Sequence, residues 1–256
     1  MAEEPKDSTG RPYHVRLRRR DVGPVAFLPG DPGRVPRIAE RFRDAKDLGS
    51  NREFRAFAGK VGDEKVVAVS TGIGGPAAAI AIEELARLGV KVMIRVGTCG
   101  AIAPGIRTGS IIIADAAVRL DGTSAQYVPP GYPAAASPGV VMALADAARS
   151  LKKRYAVGLT ASTDAFYVGQ GRESFGGYLP PSGARVVDEM RAAKVICFEM
   201  EASTLFTLGR VFGLKTGAVF AVVANRVTGE LKHEAGVDDA IDTAVGAVRL
   251  LKKHAV

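Results

Sequence analysis

Several residue types are absent or scarce in this chain of 256 residues, and each scarcity argues against a class of protein. There is no tryptophan, and aromatic residues make up only 6% of the sequence. Nucleic-acid-binding proteins usually combine a clustered basic surface with aromatic side chains that stack on bases. Here the net charge of +8 comes from basic residues that are dispersed, apart from the Arg-rich residues 11–20. We therefore expect no nucleic-acid partner, and a small anionic substrate is another explanation of the positive charge.

Long apolar runs are also lacking. None reaches the length of a transmembrane helix, so we expect no membrane partner. The short apolar stretch over residues 22–28 ends at Pro29-Gly30 and is too short for a signal peptide, which predicts a cytoplasmic protein. The length fits one α/β domain. We predict a polar, flexible tail over residues 1–12 and a single domain over residues 13–256.

Cysteines and amide side chains are few. Cys99 and Cys197 are too few for a disulfide framework or a metal site, and each is expected to be a small buried side chain. A Cys99–Cys197 bridge is the alternative, because some intracellular proteins of thermophiles carry disulfides. The scarcity of Asn and Gln is typical of heat-adapted proteins. The amide side chains present are Asn51, Gln126, Gln170 and Asn225.

Short β-branched runs alternate along the chain with Ala- and Leu-rich segments of helical period. The runs predict strands over residues 25–28, 65–70, 90–96, 110–114, 156–161, 195–198 and 217–224. The periodic segments predict helices over residues 34–43, 76–88, 138–152, 185–192, 201–212 and 237–253. Two Pro- and Gly-rich segments, residues 127–139 and 169–183, are predicted surface loops. The alternation predicts an α/β fold: a twisted, mostly parallel or mixed central sheet that is flanked by helices.

The turn after the first predicted strand is the most informative motif. It reads Gly30-Asp31-Pro32-Gly33-Arg34 and leads into a predicted helix. Glycine lets backbone N–H groups approach a ligand closely, and an Arg guanidinium carries donors that match phosphate oxygens. Taken alone, the motif is also an ordinary turn between a strand and a helix. Its interpretation as an anion site depends on other residues that point to the same anion.

Other segments that follow predicted strands are candidates for the same site. Residues 70–76 read Ser-Thr-Gly-Ile-Gly-Gly-Pro and lack the Lys-Ser/Thr of a Walker loop, so an ordinary turn explains them equally well. Arg95 near the end of an apolar strand needs a carboxylate partner or a bound anion. Thr98 offers a hydroxyl donor to that anion. Arg52, in a predicted loop, is a solvated side chain if it stands alone.

The segment Phe198-Glu199-Met200-Glu201 lies where an apolar strand meets a predicted helix. A carboxylate at a helix N-terminus often only interacts with the helix dipole. Two carboxylates that flank a methionine are less ordinary, because paired carboxylates act on glycosidic bonds. A single carboxylate also accepts hydrogen bonds from the vicinal hydroxyls of a ribose, and methionine offers a soft apolar surface to the sugar. The segment indicates a sugar site.

A glycine-flanked loop, residues 166–172, carries an amide and a guanidinium two residues apart, on Gln170 and Arg172. Together they offer donors and an acceptor that suit the edge of a pyrimidine. Phe166 is placed to stack on the ring or the sugar. An ordinary polar surface loop is the alternative.

Together these segments resemble the nucleoside phosphorylase family of the trimeric and hexameric type. The resemblance runs from about residue 13 to the C-terminal helix. Several motifs in one order are far more specific than any one of them. Besides the segments above, it rests on Arg52-Glu53-Phe54, on Arg95-Val96-Gly97-Thr98-Cys99-Gly100 and on Val118-Arg119-Leu120-Asp121-Gly122.

The resemblance implies three adjoining subsites. It implies a phosphate site formed by Gly30, Arg34, Arg95 and Thr98, with Arg52 donated by a neighbouring subunit. It implies a ribose site formed by Met200 and Glu201, with Glu199 nearby and His14 reaching over from the neighbour. It implies a base site formed by Phe166, Gln170 and Arg172. A homohexamer built as a trimer of dimers is therefore expected, and a plain surface histidine is the alternative for His14.

The resemblance also bears on the substrate. Within Ala224-Asn225-Arg226, purine-specific relatives carry a Ser-Asp pair where this chain has Asn225-Arg226, which is the pattern of uridine-type members. With Arg226 added to the base site, the expected reaction is phosphorolysis of uridine to uracil and ribose 1-phosphate. No cofactor is expected, because phosphate is itself the co-substrate. Some members bind a monovalent cation through a serine where this chain has Ala77, which leaves cation binding open.

Three other functions are consistent with parts of the sequence. A purine or broad-specificity nucleoside phosphorylase would share most of the motifs. A nucleosidase would use water in place of phosphate, and three candidate phosphate-binding arginines argue against it. A non-catalytic nucleoside- or nucleic-acid-binding protein is suggested only by the net charge.

Overall fold

A computed structural model describes residues 4–256, and within them the chain forms an eleven-stranded mixed sheet with helices on both faces. The strands are β1 Val25–Leu28, β2 Arg43–Asn51, β3 Phe54–Val61, β4 Glu64–Val69, β5 Val92–Ala101, β6 Ile111–Leu120, β7 Ala134–Ala135, β8 Tyr155–Thr163, β9 Cys197–Glu199, β10 Lys215–Asn225 and β11 Glu230–Leu231. The helices are α1 Arg34–Ala39, α2 Gly75–Arg87, α3 Thr123–Tyr127, α4 Pro138–Ser150, α5 Pro181–Ala192, α6 Ala202–Val211 and α7 Val237–Val248. The predicted α/β class is confirmed.

The sheet closes on itself around β5. This strand pairs in parallel with β10 along its whole length, while its first half pairs with β1 and its last two residues pair with β9. Strands β9, β8, β6 and β10 are hydrogen-bonded in that order, so with β5 they complete a ring. The strands β1, β4, β3 and β2 extend from the ring as an open sheet. The ring was not predicted from the sequence.

Alternate residues of the central strands pack into two separate cores. Met93 of β5 packs in the core that α2 and α6 cover, whereas its neighbour Ile94 packs in the core that α1, α4 and α7 cover. Both side chains are fully buried. This burial on both faces explains why β5 and β10 are apolar at almost every position.

Several predicted boundaries were wrong. The hairpin of β2 and β3 was missed, because β2 is an exposed edge strand of mostly polar residues without an alternating pattern. Helix α1 ends at Ala39 instead of residue 43, where β2 begins. Strand β5 continues through Thr98 to Ala101, because its glycine-containing second half still pairs with β10 and β9. The predicted loops contain short elements, namely β7 in residues 127–139 and turns of 3-10 helix in residues 169–183.

The N-terminal segment packs on the rest of the chain. Residues 1–3 of the predicted tail lie outside the described residues. From residue 4 onward, Glu4 forms an ion pair of 2.7 Å with Arg87 of α2, and Asp7 accepts hydrogen bonds from the backbone of Thr9 and Arg11. The predicted domain boundary at residue 13 stays a prediction. None of the helices in residues 4–256 is long and apolar enough to cross a membrane.

Candidate active site

A cavity of about 640 Å³ opens where β1, β4, β9 and β10 end, beside the middle of β5. This is the edge at which ligands bind in sheets of this type. Most of the site residues predicted from the sequence line it. They are Gly30, Arg34, Arg95, Thr98, Phe166, Gln170, Arg172, Glu199, Met200 and Glu201. The structure therefore brings together residues that are up to 171 positions apart in the sequence.

Two guanidinium groups line the cavity, one from the partly buried Arg34 and one from the buried Arg95. Arg34, at the start of α1, donates from Nη1 to the backbone oxygen of Val96 at 3.1 Å. The Nε atoms of Arg34 and Arg95 are buried and have no hydrogen-bond partner among residues 4–256. Burial and the nearby Arg95 charge lower the pKa of Arg34 from its ordinary value. Two neighbouring cations with unused buried donors form a site for an anion. A bound anion would accept hydrogen bonds from these donors and offset the repulsion between the two positive charges.

Gly30 permits this arrangement. A Cβ atom at this position would lie 3.3 Å from Nη2 of Arg95 and 3.1 Å from the backbone oxygen of Gly72. Both distances are shorter than ordinary contacts, so a side chain here would displace the guanidinium or the backbone behind it. The glycine predicted for close approach to a ligand thus also makes room for Arg95.

Arg95 has a carboxylate partner as well. Its Nη2 donates to Glu201 in a buried ion pair, and its Nη1 lies 3.4 Å from the hydroxyl of Thr71. The other carboxylate oxygen of Glu201 accepts the N–H of Gly74 at 2.6 Å. Gly74 has a φ of 92°, which a residue with a side chain rarely adopts. Of the two partners that the sequence allowed for Arg95, the structure contains the carboxylate, and the cavity beside it leaves room for an anion.

Glu199 is held by backbone and side-chain donors. One of its oxygens accepts the N–H groups of Glu201 and Ala202, both at 2.8 Å, and the other accepts the hydroxyl of Ser162. Glu199 therefore fixes the turn between β9 and α6. Burial, and then the neighbouring Glu201 carboxylate, raise the pKa of Glu199 to about 7. Its proximity to the predicted ribose site agrees with the sequence, but its oxygens are already engaged.

The pKa of Glu199 predicts a loss of folding stability as the pH rises. Because its pKa of about 7 lies above the ordinary 4.5, the folded protein binds more protons than the unfolded chain between these two values. Glu199 therefore lowers the free energy of unfolding progressively from about pH 4.5 to pH 7, by up to about 3 kcal/mol in total. Denaturant titrations over this range should show a shallower decline for Glu199→Gln than for the wild type. If the free energy of unfolding declines equally in the variant and the wild type, the pKa of Glu199 is not raised.

The cavity is also lined by three of the predicted base-binding residues, Phe166, Gln170 and Arg172. The Arg172 guanidinium lies 4.3 Å from the centre of the Phe166 ring and donates to the backbone oxygen of that residue at 2.7 Å. It also donates to the side-chain oxygen of Gln170 at 2.8 Å. Gln170 is buried, and burial lowers the pKa of Arg172 from its ordinary value. The amide, the guanidinium and the ring are thus fixed relative to one another.

Arg226 is placed differently from the prediction. It does not line the cavity, and its guanidinium donates to the backbone oxygens of Gln170 and Gly171. This geometry favours support of the loop that carries Gln170 over direct contact with a base. The role of Arg226 in the base site stays a prediction.

His14 and Arg52 lie together, away from the cavity. The side-chain nitrogen of Asn51 donates to the backbone oxygen of His14 at 2.7 Å, and the Arg52 guanidinium lies 5.7 Å from the centre of the Tyr13 ring. Arg52 occupies the turn between β2 and β3 with a φ of 54°, a strained conformation for a residue with a side chain. Neither residue reaches the cavity of its own chain. Their predicted roles in a neighbouring subunit stay predictions.

Several cavity residues were not predicted as site residues. Ile73 follows the end of β4, and Val223 and Ala224 lie in the last three residues of β10, so the rule that located the other motifs would have found them. Leu231 and His233 lie on and just after the short strand β11. Nothing in the local sequence distinguishes these two residues from ordinary loop residues.

Comparison with known proteins assigns the family. Residues 24–255 match the sequence model of the phosphorylase superfamily, which covers nearly the whole chain. The chain belongs to the phosphorylase superfamily. The resemblance seen in the sequence is thereby confirmed, and the cavity lies at the motifs that carried it.

The relatives of this phosphorylase-superfamily chain include uridine phosphorylases and a guanosine phosphorylase. It is 50% identical to a uridine phosphorylase of Thermococcus kodakarensis over 98% of this chain and 90% of that protein. It is 39% identical to a uridine phosphorylase of Haemophilus influenzae over 92% of this chain and 95% of that protein. It is 36% identical to a guanosine phosphorylase of Halorubrum lacusprofundi over 93% of this chain and 95% of that protein.

The cysteines and the possible metal ligands within residues 4–256 are the side chains that a second kind of site would need. No group of three or more His, Cys, Asp or Glu side chains there is arranged to hold a metal ion. Cys99 and Cys197 are buried free thiols, and burial and contact with Cys197 raise the pKa of the Cys99 thiol. A thiol held in its protonated form is a poor nucleophile. The prediction that no cofactor is needed, and the possible monovalent cation near Ala77, remain untested.

Proposed function

We propose that this protein catalyses the phosphorolysis of uridine to uracil and ribose 1-phosphate. The observation that carries the proposal is that three kinds of group line one cavity. They are two guanidiniums with unused Nε donors, the Glu201 carboxylate beside Arg95 with Met200 next to it in the chain, and the linked side chains of Gln170 and Arg172. These groups match phosphate, ribose and a pyrimidine base. The uridine phosphorylases at 50% and 39% identity support the same reaction.

Phosphate orientation is the first step. Arg34 and Arg95 bind the dianion, with a donor from Thr98 and a further guanidinium from Arg52 of a neighbouring subunit. Phosphate is a weak nucleophile, so the reaction rate increases mainly because the site holds one phosphate oxygen in line with C1′ of the ribose. An encounter of two molecules then becomes an aligned reaction within one complex.

The glycosidic bond breaks next, and the ribose ring gains positive charge near C1′. The bound phosphate is anionic and stabilises that charge electrostatically. Glu201 accepts hydrogen bonds from the ribose hydroxyls, and Met200 packs against the sugar. The phosphate oxygen then forms the new bond to C1′, and the electron pair of the broken bond leaves with uracil.

Uracil is a poor leaving group, so the negative charge that develops on it must be stabilised. The Arg172 guanidinium supplies positive charge beside the base, and the Gln170 amide supplies a donor and an acceptor. Phe166 covers the ring. No protein nucleophile takes part in this sequence of steps.

A single assay tests the proposal. The protein is incubated with uridine, inosine, guanosine or adenosine, with and without phosphate, and the released base is measured. Release of uracil that requires phosphate is the expected result. Release that does not require phosphate would identify a nucleosidase, and no release from any nucleoside would identify a binding protein. Either outcome overturns the proposal.

A purine or broad-specificity phosphorylase is the second candidate, and the guanosine phosphorylase at 36% identity favours it. The pair Asn225-Arg226 argues for uridine, because purine-type relatives carry a Ser-Asp pair here whose acid protonates the base. Arg226 stands in the place of that acid, and a guanidinium does not supply the proton. The Asn225 side chain donates to the backbone oxygen of Ile106 and accepts the N–H groups of Val227 and Thr228, so it is used within its own turn.

The base-side residues provide a direct test of the substrate assignment. Gln170→Ala and Arg172→Ala are each expected to lower the preference for uridine over inosine by about 10-fold or more, because they remove hydrogen bonds that only the pyrimidine edge satisfies. The ratio of kcat/KM for the two nucleosides measures this. The assignment of the base site fails if neither substitution changes the ratio.

Assembly and location form a separate part of the proposal. We infer a homohexamer, built as a trimer of dimers, in the cytoplasm. The support is that His14 and Arg52 lie side by side on a surface away from the cavity of their own chain. If both act in catalysis, as their motifs imply, they act in the cavity of a neighbouring subunit.

A further inference from the structure

Glu84 forms an unusual set of contacts with the segment that carries His14. It lies in the last turn of α2, 70 residues away in sequence. One of its oxygens lies 2.7 Å from Nδ1 of the His14 ring, and the other accepts the backbone N–H of Val15 at 2.7 Å. Both oxygens also lie 3.2 Å from the backbone N–H of His14. One carboxylate thus holds the backbone and the ring of the same residue.

The contact with the ring has a chemical consequence. A carboxylate oxygen accepts a hydrogen bond, so Nδ1 of His14 must carry the hydrogen. The hydrogen bond at one ring nitrogen fixes both the orientation of the imidazole and the tautomer. The other nitrogen, Nε2, is then the atom of His14 that is left to contact a ligand.

The remaining contacts of His14 leave it little freedom. Its ring packs edge-on against Tyr13 and Phe54, with ring centres 5.0 and 6.0 Å apart. Phe54 is fully buried at the start of β3, directly after the turn that carries Arg52. The histidine and the strained arginine are therefore held on one rigid surface.

We propose that Glu84 is a positioning residue for phosphorolysis: it orients the His14 ring so that Nε2 faces the ribose bound in the neighbouring subunit. This inference rests on the proposed function and on the predicted role of His14. A carboxylate that only anchored the N-terminal segment would need the backbone bonds to His14 and Val15. The bond to Nδ1 goes beyond those backbone bonds, and it is the bond that determines how the ring meets a ligand.

Kinetics with uridine analogues that lack one ribose hydroxyl test this role. In the wild type, loss of the hydroxyl that His14 contacts lowers kcat/KM, and in His14→Ala that penalty disappears. Glu84→Ala is expected to raise KM for uridine about 10-fold with little change in kcat, and to remove the penalty for the same hydroxyl. The double variant His14→Ala/Glu84→Ala should be no worse than His14→Ala.

A matched control is available on the same helix. Glu83 precedes Glu84, bonds to Arg87 and Tyr127, and forms no hydrogen bond or ion pair with His14 among the described residues. Glu83→Ala should keep the wild-type KM and the wild-type penalty for every hydroxyl. If Glu84→Ala lowers only the melting temperature, or if its kinetic loss adds to that of His14→Ala, Glu84 is an anchor of the segment and the proposal is wrong.

A second measurement does not depend on the reaction. With ¹⁵N-labelled histidine, nuclear magnetic resonance reports which ring nitrogen carries the hydrogen, and His233→Gln and His254→Gln assign the three histidines. His14 should carry it on Nδ1 in the wild type and lose this preference in Glu84→Ala. An unchanged tautomer would overturn the proposal. If the tautomer changes but no nucleoside is cleaved with phosphate, the proposed function is wrong, and so is the role of Glu84 in it.

Discussion

Replacement of Arg95 by alanine is expected to lower kcat/KM for phosphate by a factor of about 100 to 1,000. The loss follows from position and charge together. Arg95 is buried and lines the cavity together with Arg34, and its Nε atom has no hydrogen-bond partner among the described residues. Without it, the anion loses both a charge and the donor that orients the attacking oxygen. Initial rates at varied phosphate concentration measure the effect.

The ion pair with Glu201 complicates this experiment. Removal of Arg95 leaves a buried carboxylate without its cation, which typically costs about 3 to 5 kcal/mol of stability. The melting temperature must therefore be measured for each variant. Arg95→Lys is the second variant, because it keeps a charge near Glu201 but lacks the planar set of donors. It should regain stability and only part of the activity.

A surface arginine supplies the control. Arg41 forms ion pairs with Asp238 and Asp242 and does not line the cavity. Arg41→Ala should leave the dependence on phosphate unchanged. If folded Arg95→Ala keeps a kcat/KM for phosphate close to that of the wild type, Arg95 does not bind phosphate and the site has been misassigned.

The location of the site could be predicted because strand ends are visible in the sequence. Apolar runs stop at Leu28, Phe198 and Ala224, and in an α/β sheet such ends meet at one edge. The side chains next to these stops therefore converge, and Gly30, Glu199 and Glu201 do line one cavity. The convergence of these side chains follows from where the strands end, so it can be predicted without knowing which residues are in contact.

The ring closure of the sheet could not be predicted in the same way. It depends on β10 pairing with both β5 and β6, and on the three-residue strand β9 pairing with both β5 and β8. Pairing of strands distant in sequence leaves no local pattern. The same reason explains why β5 was expected to end at Val96, since only its partners keep it extended to Ala101.

The sequence also did not predict which individual side chains face the cavity. Arg226 and Arg172 are both arginines next to predicted site motifs, yet Arg172 lines the cavity and Arg226 supports the loop behind it. His233 enters the cavity from a polar segment that resembles an ordinary loop. A sequence names candidates of the right chemical type, but the backbone path decides which of them face the ligand.

Glu201→Gln is expected to produce the second large effect, a loss of about 100-fold or more in kcat/KM for uridine. The amide is nearly the same size, but its single acceptor oxygen can keep the N–H of Gly74 only by turning its NH2 group toward Arg95. The melting temperature of the variant is therefore measured alongside its kinetics. The amide loses the charge that strengthens hydrogen bonds from the ribose hydroxyls. Analogues without the 2′- or 3′-hydroxyl should therefore lose less in the variant than uridine does.

Phosphate should respond to the same substitution in the opposite direction. Glu201 now balances part of the positive charge of Arg95, so its neutralisation leaves two neighbouring guanidiniums with a greater need for an anion. The KM for phosphate should stay the same or fall while kcat/KM for uridine collapses. Glu189→Gln on the exposed face of α5 is the control and should change neither value. Equal losses for phosphate and uridine in Glu201→Gln would mean that the carboxylate merely holds Arg95 in place, and the ribose site would have to be sought elsewhere in the cavity.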